Sequence, residues 1–203
     1  MLLSKDLIGG ITIFICLIQY GPLIYLTLIG KKKPHFYSRL IWAIMFGITS
    51  LAQYTDNGGA GSWANGISGA CCMMIALAAL RNGNSYITKS DRISLGAAAT
   101  AILLWLLTKN ALWAVVLATT IDCIGYIPTF RKSWQNPHDE MISSFILGCV
   151  KQAISLFALE NYSLITLFFP LVMTTVDIAH ILVLFSRRAY LAVSKSSGSY
   201  PPG

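Results

Sequence analysis

Four ionisable residues stand inside otherwise apolar runs: Asp122, Lys151, Asp177 and His180. At membrane depth such groups are costly and face a cavity or a partner, so each is a candidate site. Asp122 and Lys151 fall near the middle of their runs, and either form a buried structural ion pair or belong to a charged substrate site. Asp177 and His180 are three residues apart, one above the other on a helical face. That spacing suits a proton relay in which the carboxyl changes protonation and an imidazole, which titrates near neutrality, tunes it. The plainer alternative for His180 is a hydrogen-bonded core residue.

Gln19, Tyr20, Tyr126, Trp63, Asn65 and Gln152 would add hydrogen bonds and aromatic surface, the mix a small polar ligand needs. Trp63 equally fits an interfacial anchor, as does Tyr54. The candidate substrate site is therefore Gln19, Tyr20, Asn65, Asp122, Tyr126, Lys151, Gln152 and Asp177, with Asp177 and His180 as the relay. Asp56 and Glu160 end two matching runs, as solvated loop carboxylates or as parts of an outer gate. The run Cys71-Cys72-Met73-Met74 offers soft metal ligands, but neighbours on a helix point about 100° apart and cannot converge on one ion. No metal site and no catalytic residue is expected, and the five cysteines, all inside apolar runs, read as packing residues.

The elements that must position these residues follow from composition. Of 203 residues, 55% are hydrophobic and 11% charged, with mean hydropathy +0.64, whereas soluble domains run near a quarter charged. A bilayer core of roughly 30 Å takes about 20 apolar residues per helix. Spans are expected near 8–30, 36–56, 62–80, 93–108, 111–130, 141–159 and 163–186, separated by TDNGGAGS (55–62), RNGNSYITKSDR (81–92) and RKSWQNPHDE (131–140) among others. The first run is a retained helix, because Lys31, Lys32 and Lys33 follow it where a cleavable signal has small residues.

Seven spans put Lys31, Lys32, Lys33, Arg39, Arg81, Lys89, Arg92, Arg131, Lys132, Arg187, Arg188 and Lys195 on one side, against Lys5 and Lys109 on the other. The basic side is cytoplasmic by the positive-inside rule, so the N-terminus is outside and the C-terminus inside, in a plasma or inner membrane. The net charge of +7 lies in short clusters between apolar runs, which argues for lipid and against nucleic acid as the partner.

The first and last three spans share punctuation. Tyr20-Gly21-Pro22 and Tyr126-Ile127-Pro128 are 106 positions apart, as are Arg81 and Arg187, and Pro34-His35 is echoed by Pro137-His138. Two like-oriented three-helix units joined by the fourth helix would make a parallel repeat. The units are 1–90 and 110–190, with a linker helix at 91–109 and a disordered cytoplasmic tail at 191–203. Pro22 and Pro128 each remove a backbone hydrogen bond near the cytoplasmic third of a span, as hinges or as static bends.

GPLIYLTLIGKKK (21–33) resembles the first-helix signature of SWEET and PQ-loop transporters, and IPTFRKSW (127–134) resembles the same element in their second repeat. Pro22-Leu23 and Pro128-Thr129 stand where that family has Pro-Gln, and Asn65-Gly66 is similar to its substrate-facing asparagine. The three-plus-one-plus-three plan is also shared in outline by nicotinamide riboside transporters. The resemblance implies an all-α, seven-helix carrier of a small polar solute such as a sugar, vitamin or amino-acid-like molecule, working by alternating access. It implies no cofactor and no enzyme, and is compatible with a homo-oligomer.

Two other classes stand beside it. A retinal-type receptor needs a lysine in the seventh span, whereas Lys151 is in the sixth. An intramembrane metal hydrolase needs clustered His and carboxylates, whereas His35 and His138 fall in loops or helix starts.

Overall fold

The computed structural model describes residues 4–82, 89–138 and 142–196; most of the connection after Arg81, residues 139–141 and the terminal 197–203 lie outside these. The described residues form helices α1 (Lys5–Leu28), α2 (Phe36–Thr55), α3 (Trp63–Asn82), α4 (Lys89–Thr108), α5 (Ala111–Gln135), α6 (Ile142–Phe157) and α7 (Leu164–Ser196). A short 3-10 turn, Gly59–Ser62, leads into α3.

Local chemistry sets the boundaries. Ser4 caps α1 by accepting from Leu7 N at 3.2 Å, and Gly30, at φ 73°, ends it. Asn110 Oδ1 accepts from Leu112 N at 2.9 Å to start α5. At the head of α7, Ser163 Oγ accepts from Thr166 N while Thr166 Oγ1 accepts from Ser163 N, a reciprocal capping box. Three expectations are corrected at helix ends. α4 begins four residues before the expected span, α5 runs on to Gln135 through the first half of the expected break at 131–140, and α7 continues to Ser196 through the first part of the expected disordered tail.

Large apolar side chains face outward, while polar and charged ones are enclosed beside buried apolar clusters. Phe14, Leu107 and Leu164 are 64%, 72% and 68% exposed, while Gln53, Asn65, Asp122, Lys151, Asp177 and His180 are buried. A surface of that kind is stable only against a solvent as apolar as itself. Hydroxyls obey the same constraint: Thr27, Ser68, Thr119, Thr120 and Thr175 each donate to the carbonyl four residues back, where no water need be present. Among the described residues, four segments are long and apolar enough to cross a membrane: Lys5–Leu28, Gly59–Arg81, Ala111–Gln135 and Leu164–Val193. Leu95–Thr108 and Ile142–Phe157 are shorter apolar helices. The chain is a multi-pass, all-α membrane protein.

Packing follows a repeated pattern. α3 lies against both α1 and α2, and α7 against both α5 and α6. Between the α1–α3 and α5–α7 triplets of helices, α1 packs on α6 and α2 on α5. α4 rests on α5 and α2. Small residues permit close approach: a Cβ at Gly69 of α3 would stand 3.2 Å from Ala43 O of α2.

Candidate functional site

A cavity of about 480 Å³ lies between the triplets. α1 contributes Gln19, Tyr20 and Leu23; α2 contributes Arg39, Trp42 and Phe46; α5 contributes Asp122, Gly125, Tyr126 and Thr129. α6 adds Ser144, Phe145, Gly148, Lys151 and Gln152, and α7 adds Met173 and Asp177. The lining starts midway along these helices and runs toward the end bearing Lys31–Lys33 and Arg131.

Seven of the eight expected substrate residues converge here: Gln19, Tyr20, Asp122, Tyr126, Lys151, Gln152 and Asp177. Tyr20 of α1 and Tyr126 of α5, 106 positions apart, line the same chamber. Gln19 Nε2 donates to Ser144 O at 3.1 Å, joining α1 to α6. Tyr126 OH donates to Asp177 Oδ1 at 2.6 Å, fixing that carboxylate against α5. Gly148 makes room for the arrangement: a Cβ there would meet Asp177 Oδ2 at 3.1 Å and Gln19 Nε2 at 3.2 Å.

The charges are arranged differently from the sequence-based pairing. Lys151 is not ion-paired with Asp122 or Asp177; its Nζ donates to Ser68 Oγ of α3 at 2.6 Å and lies over the rings of Tyr20 and Phe46, at 5.4 Å and 5.5 Å from their centroids. Asp122 is 6% exposed and faces the cavity, with no hydrogen bond or ion pair among the described residues. Arg39 lies over the Trp42 ring at 4.9 Å and has no carboxylate partner among the described residues.

Asn65, Trp63 and His180 lie outside the cavity lining, and His180 takes its plainer alternative, a hydrogen-bonded core residue. Asn65 is the centre of an amide chain closing the other end of the seam. Gln152 Nε2 donates to Asn65 Oδ1 at 3.1 Å, Asn65 Nδ2 to Gln53 Oε1 at 2.9 Å, and Gln53 Nε2 to Thr166 O at 2.8 Å. One line of amides thus ties α6, α3, α2 and α7. Trp63 packs instead beside Gly9, where a Cβ would come within 2.9 Å of its ring. His180 is enclosed by Phe130, Phe145 and Tyr126, and its Nε2 is 2.6 Å from Ser133 Oγ. The two residues of the expected relay therefore turn to different partners, Asp177 to Tyr126 and His180 to Ser133.

Beyond the amides, the connection after α2 is stitched to the one before α7. Asn161 Nδ2 donates to Asp56 O at 2.9 Å, Ser163 Oγ donates to Asp56 Oδ2, and Glu160 N donates to Gly58 O at 3.3 Å. Lys5 Nζ reaches Leu159 O from α1. Asp56 is thus a cross-link between the triplets rather than a merely solvated loop carboxylate, while Glu160 is exposed.

Arg39, Trp42, Gln53, Ser68 and Ser144 escaped the sequence reading as site or seam residues. Arg39 had counted as a loop charge, and only its position three residues into a helix hinted otherwise.

Among the described residues, no group of three or more His, Cys, Asp or Glu is placed to hold a metal ion. No protein-family model matches the chain, and neither a curated protein nor a solved structure matches it.

Proposed function

We propose that this protein is a secondary carrier or facilitator of a small polar solute, acting by alternating access rather than as an enzyme. The observation that carries this reading is the chamber between two helix triplets: it holds two buried carboxylates, Asp122 and Asp177, and stops at a hydrogen-bonded seam. A receptor pocket would not need that division of one inter-triplet surface into a chamber and a closed seam.

In this reading all seven helices span the bilayer as two like-oriented bundles, α1–α3 and α5–α7, joined by α4. The N-terminus is outside and the basic end, with the C-terminus, is cytoplasmic. The amide chain and the Asp56 contacts form the closed outer gate, and the chamber communicates with the basic side. Transport rocks the bundles about the midplane site, breaking the seam while the basic end closes. Pro22 and Pro128, both within continuous helices, supply the give in α1 and α5. The kinship in plan with SWEET and PQ-loop carriers rests on the Tyr20–Pro22 and Tyr126–Pro128 elements and the exchanged packing of α1 on α6 and α2 on α5.

The test is uptake of radiolabelled sugars, amino acids, nucleosides and vitamins into liposomes holding the purified chain. At least one solute should enter faster than into empty liposomes, and both Asp122→Asn and Asp177→Asn should abolish that uptake. Wild-type uptake by both variants would remove the site.

A further inference from the structure

We infer that the solute is a zwitterion of amino-acid size, its carboxylate held by Arg39 and its ammonium by Asp122; this deepens the carrier reading and rests on it. Four charged side chains line the chamber, and two of them hydrogen-bond to a hydroxyl of the protein there. Lys151 Nζ donates to Ser68 Oγ at 2.6 Å, and Asp177 Oδ1 accepts from Tyr126 OH at 2.6 Å. The other two are opposite in sign and belong to opposite triplets, Arg39 on α2, which stacks on Trp42 and lies beside the Cys72 thiol, and Asp122 on α5. Neither has an oppositely charged partner among the described residues, so an entering solute can supply one to each.

A neutral solute would give neither charge an opposite partner, and a singly charged one would leave the other without one. A molecule carrying both charges satisfies both residues and leaves the chamber electrically balanced. Size agrees: about 480 Å³ lies in the range of small-molecule sites. Trp42, Phe145 and Leu23 give the rest of the solute an apolar wall.

The experiment uses the purified full chain in lipid nanodiscs, read by thermal unfolding and by tryptophan fluorescence, since Trp42 lines the chamber. The twenty L-amino acids and D-glucose are the first probes. The amino acid that raises the unfolding temperature most is then compared with its α-amide, which lacks the carboxylate charge, and its N-acetyl derivative, which lacks the ammonium.

Each derivative should bind roughly 10- to 100-fold more weakly than the parent, the usual worth of a charge-assisted contact. Arg39→Gln should bind parent and amide alike, and Asp122→Asn should bind parent and N-acetyl derivative alike. The comparison on the unmodified chain decides the matter even if a variant fails to fold. Derivatives binding within twofold of the parent, or no amino acid stabilising the chain, would overturn the zwitterion. If glucose instead stabilises the chain and enters liposomes, the zwitterion falls while the carrier stands. If no probe binds and no solute enters liposomes, both fall.

Discussion

Lys151, carried by α6, donates its Nζ proton to Ser68 Oγ of α3 across the boundary between the two helix triplets, at 2.6 Å. A cation delivered by one half is solvated by a hydroxyl and two aromatic rings of the other, so the halves are coupled through a residue that also lines the chamber.

That coupling predicts a split between two substitutions. Lys151→Met keeps the volume of a side chain 2% exposed and removes a charge that has no carboxylate partner, so the unfolding temperature in detergent should stay within a few degrees. Lys151→Ala leaves a void at the junction and should cost about 2 kcal/mol or more. Equal loss in both would mean that the ammonium, not the volume, holds the halves together.

Asp122 has no partner among the described residues, so Asp122→Asn should leave thermal stability nearly unchanged while removing uptake. Tyr126→Phe should behave in the opposite sense. It strips Asp177 of its 2.6 Å donor and should lower stability by about 1–3 kcal/mol, measured by thermal unfolding beside the wild type.

Asn65→Ala removes the centre of the amide chain, leaving Gln53 Oε1 and Gln152 Nε2 without their bonds to it. Stability should fall by about 1–3 kcal/mol. A double-mutant cycle with Gln152→Ala should return a coupling of at least about 0.5 kcal/mol. Additive losses would show that the two amides do not act together.

Gly59 is held at φ +57°, where an L residue is strained, and a Cβ there would stand 2.5 Å from Glu160 Cδ. The exposed Glu160 side chain can turn aside, so Gly59→Ala should cost roughly 1–2 kcal/mol, the backbone strain alone. Adding Glu160→Ala should therefore recover little, as thermal melts of the two variants would show.

The helices were legible in the chain because a bilayer demands long apolar runs, and the loop chemistry that ends them is local. Every expected span corresponds to a helix, with α4, α5 and α7 longer than expected. Most of the chamber was legible for a related reason: a carboxylate or amide inside an apolar run has few destinations. Seven of the eight nominated residues line one hollow. Asn65 and His180 lie outside that lining because a polar residue at the right depth can equally turn to a neighbouring helix, and depth alone does not give direction.

Sequence alone determined which stretches form long apolar helices and that polar groups inside them must be enclosed, since both depend on residue type and short spacing. Only the tertiary structure decided the partners. It took Lys151 to Ser68 instead of an aspartate, joined Gln53, Asn65 and Gln152 into one chain, and brought Arg39 to the chamber wall. Such pairings join residues far apart along the chain, and they depend on how each helix is rotated about its axis, which packing sets and local pattern does not.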